Sequence, residues 1–385
     1  MLTNGQLALL IAGRLTINTA FRVVYALLTF LAVSFGVDIT TVSLLITMQV
    51  AATLLSPLGG TLADTRGERF TMLLGLSVFV VGAGICMLAS SFGLFLAGYG
   101  LIGLGMALFQ PAVQAYASMR TPYARRGWVL GMLELSWAFA ALVGVAALSW
   151  LAEATNSRSP IFQVLFVAGL LVMSLMRFGL PPDTPRPPRH RDLPLFDIKL
   201  LTKPSIAAAM ALMFTSLLGA ELVFVVYAPW LERDFHATVE QLGMIFGLLG
   251  LVELGGSFGA ALFVDRIGKR RAVIIGYLAT GTLQALLPFS AGNWPLFFVL
   301  FLTFGICFEF AIVSSFPLIS GLVPSARGTI LSLSVAFVGG SRVIGSLLGP
   351  AIWQQLGFMA NGLLAAMLSF SAVVICWRLV REGEG

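Results

Sequence analysis

Cysteine and histidine, the residues that most often form disulfides or bind metals, are scarce in this sequence. The three cysteines among its 385 residues, Cys86, Cys307 and Cys376, all lie inside apolar runs. This spacing gives neither a disulfide framework nor a Cys-x-x-Cys metal motif. The two histidines, His190 and His236, are 46 residues apart, so they form no local metal motif either. We therefore expect no metal, no cofactor and no enzymatic activity.

Charge is also scarce for a chain of this length. Asp, Glu, Lys and Arg make up 10% of the residues and hydrophobic residues 58%, whereas soluble domains have about 25% charged and about 45–50% apolar residues. Strands of a membrane β-barrel would alternate in polarity over about ten residues. The sequence has long continuous apolar runs instead, and it therefore predicts an all-α membrane protein.

Twelve of these apolar runs are long enough to cross a bilayer, which takes about 20 helical residues. Short polar turns, or turns that contain proline or glycine, separate them. The first run is too long for the core of a signal peptide and contains Arg14 and Arg22, so we expect it to be retained as span 1. The predicted spans 1 to 12 are residues 8–32, 42–63, 70–90, 92–118, 128–151, 160–180, 206–231, 241–264, 272–291, 295–322, 328–353 and 358–380.

Basic residues are distributed unevenly between the two ends of these spans. With the N-terminus inside, 19 of the 23 Lys and Arg residues lie at the inner ends and two in outer loops. The remaining two, Arg22 and Arg342, lie within spans. The positive-inside rule then places both chain ends in the cytoplasm. The net charge of +6 is explained by topology, so no nucleic-acid partner is expected.

A proline-rich connection divides the chain. Residues 181–205 contain seven prolines and a cluster of basic residues. This much proline prevents a packed helix, so the segment is either a solvated tether or a segment that rests on anionic lipid. We predict an N-terminal six-helix bundle at residues 1–180, a cytoplasmic linker at 181–205 and a C-terminal six-helix bundle at 206–385.

The two predicted bundles repeat each other at an offset of 201 residues. The matching pairs are Asp64 and Asp265, Gly67 and Gly268, Arg69 and Arg270, and the dipeptides Arg126-Gly127 and Arg327-Gly328. Two separate loops in register are unlikely to match by chance. Each half is therefore a six-span unit, which is the internal duplication expected of a secondary transporter.

The loop between spans 2 and 3 carries a resemblance to a known family. Residues Gly60 to Arg69 read GTLADTRGER, which resembles the major facilitator superfamily signature Gly-x-Leu-Ala-Asp-x-x-Gly-x-Arg. A degenerate copy, ALFVDRIGKR at Ala261 to Arg270, occupies the equivalent loop between spans 8 and 9. With twelve spans and a central linker, the resemblance covers the whole chain. It implies two pseudo-symmetric six-helix bundles that move a small molecule by alternating access.

The same resemblance implies a cytoplasmic gate at these loops. In the family, the acid of the loop holds the cytoplasmic side through charge pairs and helix-end contacts, and the glycines allow close packing. The gate residues implied here are Gly60, Asp64, Gly67, Arg69, Asp265, Gly268 and Arg270. Ala261 replaces the first glycine of the second copy, where we expect looser packing. The structural alternative is that these charges only cap helices and fix topology.

Two features separate the chain from the drug–proton antiporters that it otherwise resembles. Proton-coupled members of the family often have an arginine early in span 4, where this chain has Tyr99. Drug exporters have a Gly-x-x-x-Gly-Pro run in span 5, whereas this chain has one in span 11, from Gly345 to Pro350. The direction of transport is therefore open from the sequence.

Six ionisable residues lie inside the predicted spans, where a central charge costs about 2.5–3.5 kcal/mol. They are Arg22, Glu134, Glu221, Glu253, Glu309 and Arg342. By resemblance, spans 1, 4, 7 and 10 surround the transport cavity and spans 2, 5, 8 and 11 flank it. All six residues fall on these two sets, which is the distribution expected if the charges serve transport.

Polar side chains predict where the substrate binds. On span 1, polar residues recur at intervals of four, four and three, which places them on one helix face. Span 4 carries two glutamines one turn apart, and a tryptophan on span 5 could stack on a substrate. The predicted substrate-binding residues are Asn18, Arg22, Tyr25, Gln110, Gln114, Trp137, Glu221 and Arg342.

The carboxylates inside the spans predict proton coupling. Two arginines face four acids, so two acids would lack a basic partner if every group were ionised. A desolvated carboxyl group takes up a proton near neutral pH. We predict proton coupling by Glu309, Glu253 and Glu134, with Glu309 first because span 10 surrounds the cavity.

Structural alternatives are open for several of these residues. Glu221 and Arg342 could form an ion pair, and Arg22 could pair with Glu134. Polar residues such as Asn18 and the glutamines of span 4 could simply bridge helices. A membrane enzyme would need a nucleophile–base set, a metal cluster or a nucleotide site. A non-transporting receptor would not need so many charges near mid-membrane.

The sequence thus predicts a secondary transporter, with proton-coupled efflux of drug-like or amphiphilic compounds as the first hypothesis. The alternative is uptake, or facilitated diffusion, of an organic anion or a sugar-like metabolite. The expected partners are a small-molecule substrate, protons and the lipid bilayer. We expect a functional monomer in a bacterial inner membrane.

Overall fold

The computed structural model of the protein describes residues 2–121, 129, 132, 133, 135–183, 201–320, 322 and 327–380. Within these ranges the description leaves out the side chains of Asp64, Ser118, Asp265, Ser320 and residues 327–332. Glu134 and linker residues 184–200 lie outside the described residues, so the expectations for them stay predictions.

Twelve helices in the described residues are long and apolar enough to cross a membrane, and these residues contain no strand. Spans 1 to 12 are Asn4–Ala26, Ile39–Ala63, Glu68–Leu88, Phe92–Ala117, Leu135–Thr155, Ser159–Gly179, Pro204–Phe235, Val239–Val264, Lys269–Ser290, Trp294–Ile319, Leu333–Leu356 and Phe358–Leu379. Some helices extend further: those of spans 4, 8 and 10 end at Met119, Ile267 and Ser320, and that of span 11 begins at Arg327. The prediction of an all-α membrane protein with twelve spans is confirmed.

Large apolar side chains are exposed on many spans. Phe178 is 85% exposed, Leu88 75% and Phe258 67%. A soluble protein with so many exposed apolar side chains would aggregate. In an integral membrane protein these side chains contact the lipid chains instead.

Short polar side chains cap several helix starts. Thr3 and Gln6 form a capping box at the start of span 1. Asn293 accepts the backbone N–H of Leu296 at 3.1 Å, and so caps span 10. Asp38 caps span 2, and the hydrogen bonds from the side chain and backbone of Thr41 hold the pKa of this carboxyl below its usual value.

Spans 2, 5, 7 and 9 are not continuous α-helices, and a second helix follows span 1. Span 9 ends in the 3-10 helix Leu287–Ser290. After span 1 the chain continues as the helix Leu28–Phe35, and span 5 contains a π-helical segment, Ala140–Val145, before Ala146–Thr155. The helices of span 2 are Ile39–Val42, Leu44–Thr53 and Ser56–Arg66, and those of span 7 are Pro204–Phe224 and Tyr227–Phe235. A break in a helix leaves backbone N–H and C=O groups without helical partners. Because the bilayer core contains no water, other groups of the protein must form hydrogen bonds with them.

Two fully buried amides bind backbone carbonyls close to the breaks in spans 1 and 7. Gln49 of span 2 donates to the carbonyl of Phe21 at 3.1 Å, and Asn361 of span 12 donates to the carbonyl of Leu222 at 2.9 Å. Phe21 and Leu222 correspond at the repeat offset of 201 residues. Asn361 also donates to the carbonyl of Gly349 in span 11 at 2.9 Å, so it ties three spans together.

The described residues form two compact units. The first contains those in 1–193 and 238–250, and the second those in 194–237 and 251–385. Span 8 thus contributes its first part to the first unit and the remainder to the second. The bundle and linker boundaries proposed from the sequence stay a prediction.

Glycine and aromatic residues dominate the packing within the units. In the first unit, a Cβ atom on Gly75 would lie 2.8 Å from the carbonyl oxygen of Gly105, so spans 3 and 4 are in backbone contact there. In the second unit, Trp230 stacks on Phe358 with ring centres 3.8 Å apart. Span 10 adds an aromatic stripe with spacings of four and three, which comprises the fully buried Phe297, Phe301 and Phe304.

Candidate functional site

Arg22 of span 1 is held between two aromatic rings in the first unit. Its side chain is 3% exposed, and its guanidinium carbon lies 4.6 Å from the ring centre of Trp137 and 4.8 Å from that of Phe246. Tyr25 stacks on Phe246 with ring centres 6.4 Å apart. A cation over an aromatic face gains about 2 kcal/mol when water is excluded. We name Arg22, Tyr25, Trp137 and Phe246 the aromatic–arginine cluster.

A chain of hydrogen bonds includes Asn18, one turn before Arg22, and Ser136, the residue before Trp137. Gln110 of span 4 donates to the side-chain oxygen of Asn18 at 2.7 Å, and Asn18 donates to the hydroxyl of Ser136 at 3.3 Å. Spans 1, 4 and 5 are thereby bridged, as the structural alternative for these amides proposed. The buried Oε1 of Gln110 has no hydrogen-bond partner among the described residues. Gln114, one turn further along, is exposed.

Glu221 and Arg342 form an ion pair in the second unit. The Nε of Arg342 donates to a carboxylate oxygen of Glu221 at 3.0 Å, and Glu221 is 3% exposed. A Cβ atom on Gly345 would lie 2.7 Å from the Cβ of Glu221, so Gly345 allows span 11 to approach span 7 here. This close contact gives the Gly345 to Pro350 run a packing role. A buried ion pair is costly to break, because the remaining charge loses its partner.

Glu309 of span 10 accepts a hydrogen bond from Ser257 of span 8. The Oγ of Ser257 lies 2.7 Å from the Oε1 of Glu309. Glu253 is one turn before Ser257 on the same helix. Gly255 to Gly259 matches the esterase pattern Gly-x-Ser-x-Gly. That pattern needs a strand-to-helix turn, whereas Ser257 lies inside a continuous helix.

Asp183, just beyond span 6, caps the start of span 3. Its carboxylate oxygens accept the backbone N–H groups of Arg69 and Phe70, both at 3.0 Å. Negative charge at a helix N-terminus is stabilised by the helix dipole. The guanidinium of Arg120 lies 4.0 Å from Asp183 and 3.7 Å from Glu68. We name Glu68, Arg120 and Asp183 the loop cluster.

Gly67 makes room for this cap. Its φ is +102°, a backbone conformation that favours glycine, and a Cβ atom there would overlap the Asp183 carboxylate. Gly268, its repeat equivalent, has a φ of +92°, but no described atom lies within 4 Å of a Cβ on it. The two glycines therefore share a backbone conformation and differ in what surrounds them.

The close packing expected at Gly60 occurs at its neighbour instead. No described atom lies within 4 Å of a Cβ on Gly60, whereas a Cβ on Gly59 would lie 2.6 Å from the carbonyl oxygen of Ala107 in span 4. The expectation of close packing at Gly60 was therefore wrong for this structure. The reason is helical geometry: consecutive residues point about 100° apart, and Gly59 is the one on the contact face.

The two arginines of the repeated loops have equivalent contacts. Arg69 donates to the carbonyl of Arg177 at the end of span 6, and Arg270 donates to the carbonyls of Cys376 and Trp377 at the end of span 12. Cations are favoured at helix C-termini, where carbonyl groups lack helical partners. The helix-end contacts implied by the family resemblance are thus present for both arginines. The side chains of Asp64 and Asp265 lie outside the described residues, so their gate role stays a prediction.

Several contacts of the site, both aromatic and polar, were not predicted from the sequence. Phe246 gave no signal because phenylalanine is abundant in every span, and Ser257 gave none because serines often occur in transmembrane helices. Asp183 was assigned to the linker on composition. Tyr99, noted only as a departure from the family pattern, is fully buried and donates to the carbonyl of Ala20 at 2.5 Å.

Comparison with known proteins agrees with this architecture. The sequence model of the Major Facilitator Superfamily matches residues 10–220 and 209–385. The chain is 27% identical over 308 residues to YceJ of Bacillus subtilis (strain 168), an uncharacterized MFS-type transporter, which covers 77% of this chain and 76% of that protein. It is 26% identical over 343 residues to the multidrug resistance protein MdtG of Enterobacter lignolyticus (strain SCF1), with coverages of 85% and 79%.

A solved structure agrees as well. The crystal structure of a D-xylose–proton symporter aligns with a TM-score of 0.80 at 17% identity, covering 98% of each chain. At this identity the likeness shows the fold alone. Twelve spans, the repeated loops and a family match over nearly the whole chain lead to one assignment. The chain belongs to the major facilitator superfamily and is a membrane transporter of that family.

Proposed function

We propose that this transporter couples proton movement to the export of drug-like, amphiphilic small molecules by alternating access. The observation that carries the proposal is the hydrogen bond between Ser257 and Glu309. It joins two spans at a carboxyl group within span 10, the most apolar of the twelve. A carboxyl group at this depth is costly to keep charged unless it has a function in transport. Taking up and releasing a proton is such a function.

The aromatic–arginine cluster supports an amphiphilic substrate. Tyr25, Trp137 and Phe246 present ring surfaces beside Arg22, and stacking on such rings favours planar apolar groups. The Oε1 of Gln110 has no described partner and can accept a hydrogen bond from a ligand. A molecule with an aromatic surface and one N–H or O–H group fits both features. The similarity to a multidrug resistance protein supports the same class of substrate.

Uptake of a sugar-like metabolite or an organic anion is the second candidate. Gln110 and Asn18 favour it, because amide groups bind hydroxyl-rich ligands through several hydrogen bonds. Arg22 favours an anion, since its planar group binds carboxylates through two parallel hydrogen bonds. The ring surfaces around Arg22 argue for the first candidate, because sugars need fewer apolar contacts.

A ligand screen with purified protein separates the two candidates. Ligands that bind the folded state raise the melting temperature, so thermal shift is measured with ethidium, tetraphenylphosphonium, aromatic carboxylates, pentoses and hexoses. We expect the aromatic compounds to stabilise the protein and Trp137→Ala to weaken that effect. The lipid-facing Trp377→Ala serves as the matched control, since this residue is 59% exposed on span 12. Stabilisation by sugars alone would reject export of amphiphiles.

We also propose that the protein works as a monomer in a bacterial inner membrane, with both chain ends in the cytoplasm. The positive-inside rule supports this orientation, since 19 of the 23 Lys and Arg residues lie at the span ends that we place in the cytoplasm. The similarity to bacterial transporters supports a location in a bacterial inner membrane.

A further inference from the structure

Spans 8 and 10 are in backbone contact at Gly256. A Cβ atom on Gly256 would lie 2.7 Å from the Cβ of Glu309 and 2.7 Å from the carbonyl oxygen of Ile306. Any larger residue would push the two helices apart. This contact explains how the next residue, Ser257, reaches the carboxylate of Glu309 with a short side chain.

The hydrogen bond of Ser257 differs from those of most other hydroxyl groups in the described spans. A serine or threonine in a helix usually donates to a carbonyl one turn back on its own helix. Ser314, Ser371 and Thr303 do so, with Phe310, Met367 and Val299 as acceptors at 2.5, 2.8 and 2.6 Å. Ser257 donates across to another helix, at 2.7 Å from a carboxylate oxygen. Its hydroxyl thus has two possible acceptors: the carboxylate of Glu309 and the backbone of its own helix.

Glu253 lies on the same side of span 8 as Ser257. Phe258 and Leu262 are 67% and 46% exposed and form the lipid-facing side of this helix. Residues 253, 257, 260 and 264 recur at intervals of four, three and four, and Ala260 and Val264 of this series are buried core residues. Glu253 and Ser257 therefore share the side of the helix that faces the core.

Other titratable groups occur on the helices that pack against span 10. On span 9, the hydroxyl of Tyr277 accepts a hydrogen bond from Ser315 of span 10 at 3.5 Å. Glu221 of span 7 and Arg342 of span 11 are bound to each other. Cys307 lies two residues before Glu309 on span 10 itself. The Glu309 carboxylate itself accepts the hydrogen bond of Ser257.

We propose that Ser257 is a positioning residue for proton coupling: its hydroxyl holds the ionised Glu309 and returns to its own helix when Glu309 gains a proton. The proton comes from solution and stays on Glu309, so no bond other than the O–H bond of that carboxyl forms or breaks. This proposal rests on the proposed role of Glu309. It adds that the hydrogen bond from Ser257 sets the pH at which Glu309 exchanges its proton. A hydroxyl that donates to a carboxylate stabilises the charged form.

The test measures protonation directly and needs no transported substrate. The reconstituted full-length protein is titrated while the infrared band of protonated carboxyl groups is recorded, and Glu309→Gln identifies the contribution of Glu309. We expect Ser257→Ala to move the midpoint of that contribution upward by about one pH unit, the size of one hydrogen bond to a charged group. Ser257→Thr keeps the hydroxyl and should keep the midpoint.

Controls separate this effect from a general disturbance. Ser371→Ala removes a hydroxyl that bonds only to its own helix in the described structure and should leave the midpoint unchanged. Ser257→Cys keeps the volume with a weaker donor and should give an intermediate midpoint if Ser257→Ala does not fold. A normal Glu309 contribution whose midpoint is the same in all Ser257 variants would overturn the role of Ser257 and leave the proposed function intact. A titration that Glu309→Gln does not alter would overturn both.

Discussion

At the scale of single residues, several polar side chains of this protein bind backbone groups at helix ends. Asp183 binds two N–H groups at the start of span 3, and Arg69 and Arg270 bind carbonyls at the ends of spans 6 and 12. Such groups lack helical partners and are satisfied here by side chains. Both arginines of the repeated loop motif thus make helix-end contacts.

Gly67 and Gly268 allow these contacts to be tested with a matched pair. Alanine at either position is strained, because both φ values are strongly positive. Gly67→Ala must also displace Asp183 from the start of span 3, which costs about 0.5–2 kcal/mol as loss of a cap. We expect Gly67→Ala to lower the free energy of unfolding by that much more than Gly268→Ala does, as measured by denaturation in mixed micelles.

Asp183→Ala provides the control for this comparison. Once the carboxylate is gone, Gly67→Ala should cost no more than Gly268→Ala, since the two effects act on one contact. Equal costs in the parent chain would mean that Gly67 matters only through its backbone conformation.

The ion pair of Glu221 and Arg342 gives a second prediction at this scale. Glu221→Gln or Arg342→Gln alone leaves a charge in the membrane without its partner, which costs about 3–5 kcal/mol for a fully buried pair. Arg342 is 25% exposed at its side chain, so we expect a value nearer 3 kcal/mol. The double variant should recover most of the lost free energy of unfolding. If the double variant loses as much free energy of unfolding as the two single variants together, the two residues do not depend on each other.

At the scale of helices, the break that follows span 1 could not be predicted from the sequence, whereas the break in span 7 has a local signal. Leu27 is neither proline nor glycine, the residues that usually mark a break, whereas Pro229 lies four residues after Val225 and cannot donate a helical hydrogen bond to its carbonyl. Side chains far away in sequence also bind the backbone near these places: the amides of Gln49 and Asn361 donate to the carbonyls of Phe21 and Leu222. Hydropathy predicts where a span lies, but it carries no information about such distant partners.

Asn361→Leu should therefore destabilise the second unit. It leaves the carbonyl of Leu222 without its side-chain donor, and an unsatisfied buried polar group costs about 1–3 kcal/mol. The matched control is Gln163→Leu, which replaces an exposed amide on span 6. We expect a loss of stability in thermal unfolding for Asn361→Leu and no loss for Gln163→Leu. Equal melting temperatures for both variants would show that the amide of Asn361 is dispensable.

At the scale of the whole molecule, the sequence predicted the number and position of the spans because apolar length alone determines them. The twelve predicted runs and the twelve observed helices overlap throughout. The site was predicted less completely, since charges such as Glu309 are conspicuous in an apolar span whereas their neutral partners, Ser257 and Phe246, are not. The family motif predicted the loop contacts of Arg69 but missed Asp183, because linkers are recognised by composition rather than by contacts.

The orientation can be tested by labelling introduced cysteines. Ala291→Cys lies in the exposed turn between spans 9 and 10, which we place outside, and Arg271→Cys lies at the predicted cytoplasmic start of span 9. A membrane-impermeant maleimide added to intact cells should label the first variant and reach the second only after permeabilisation. The parent chain is the control for its own three cysteines, of which Cys86 and Cys376 are buried and Cys307 is partly buried. The opposite labelling pattern would invert the topology.

The central claim, that Glu309 couples protons to transport, is tested most directly by flux in proteoliposomes with an imposed pH gradient. A compound that stabilises the purified protein is followed as substrate, and uphill transport is measured beside exchange at equal concentrations on both sides. Glu309→Gln should abolish uphill transport and leave exchange intact, because exchange needs no net proton movement. Glu240→Gln, an exposed carboxyl at the start of span 8, is the matched control and should behave as the parent chain. Uphill transport by Glu309→Gln at the parental rate would contradict the claim.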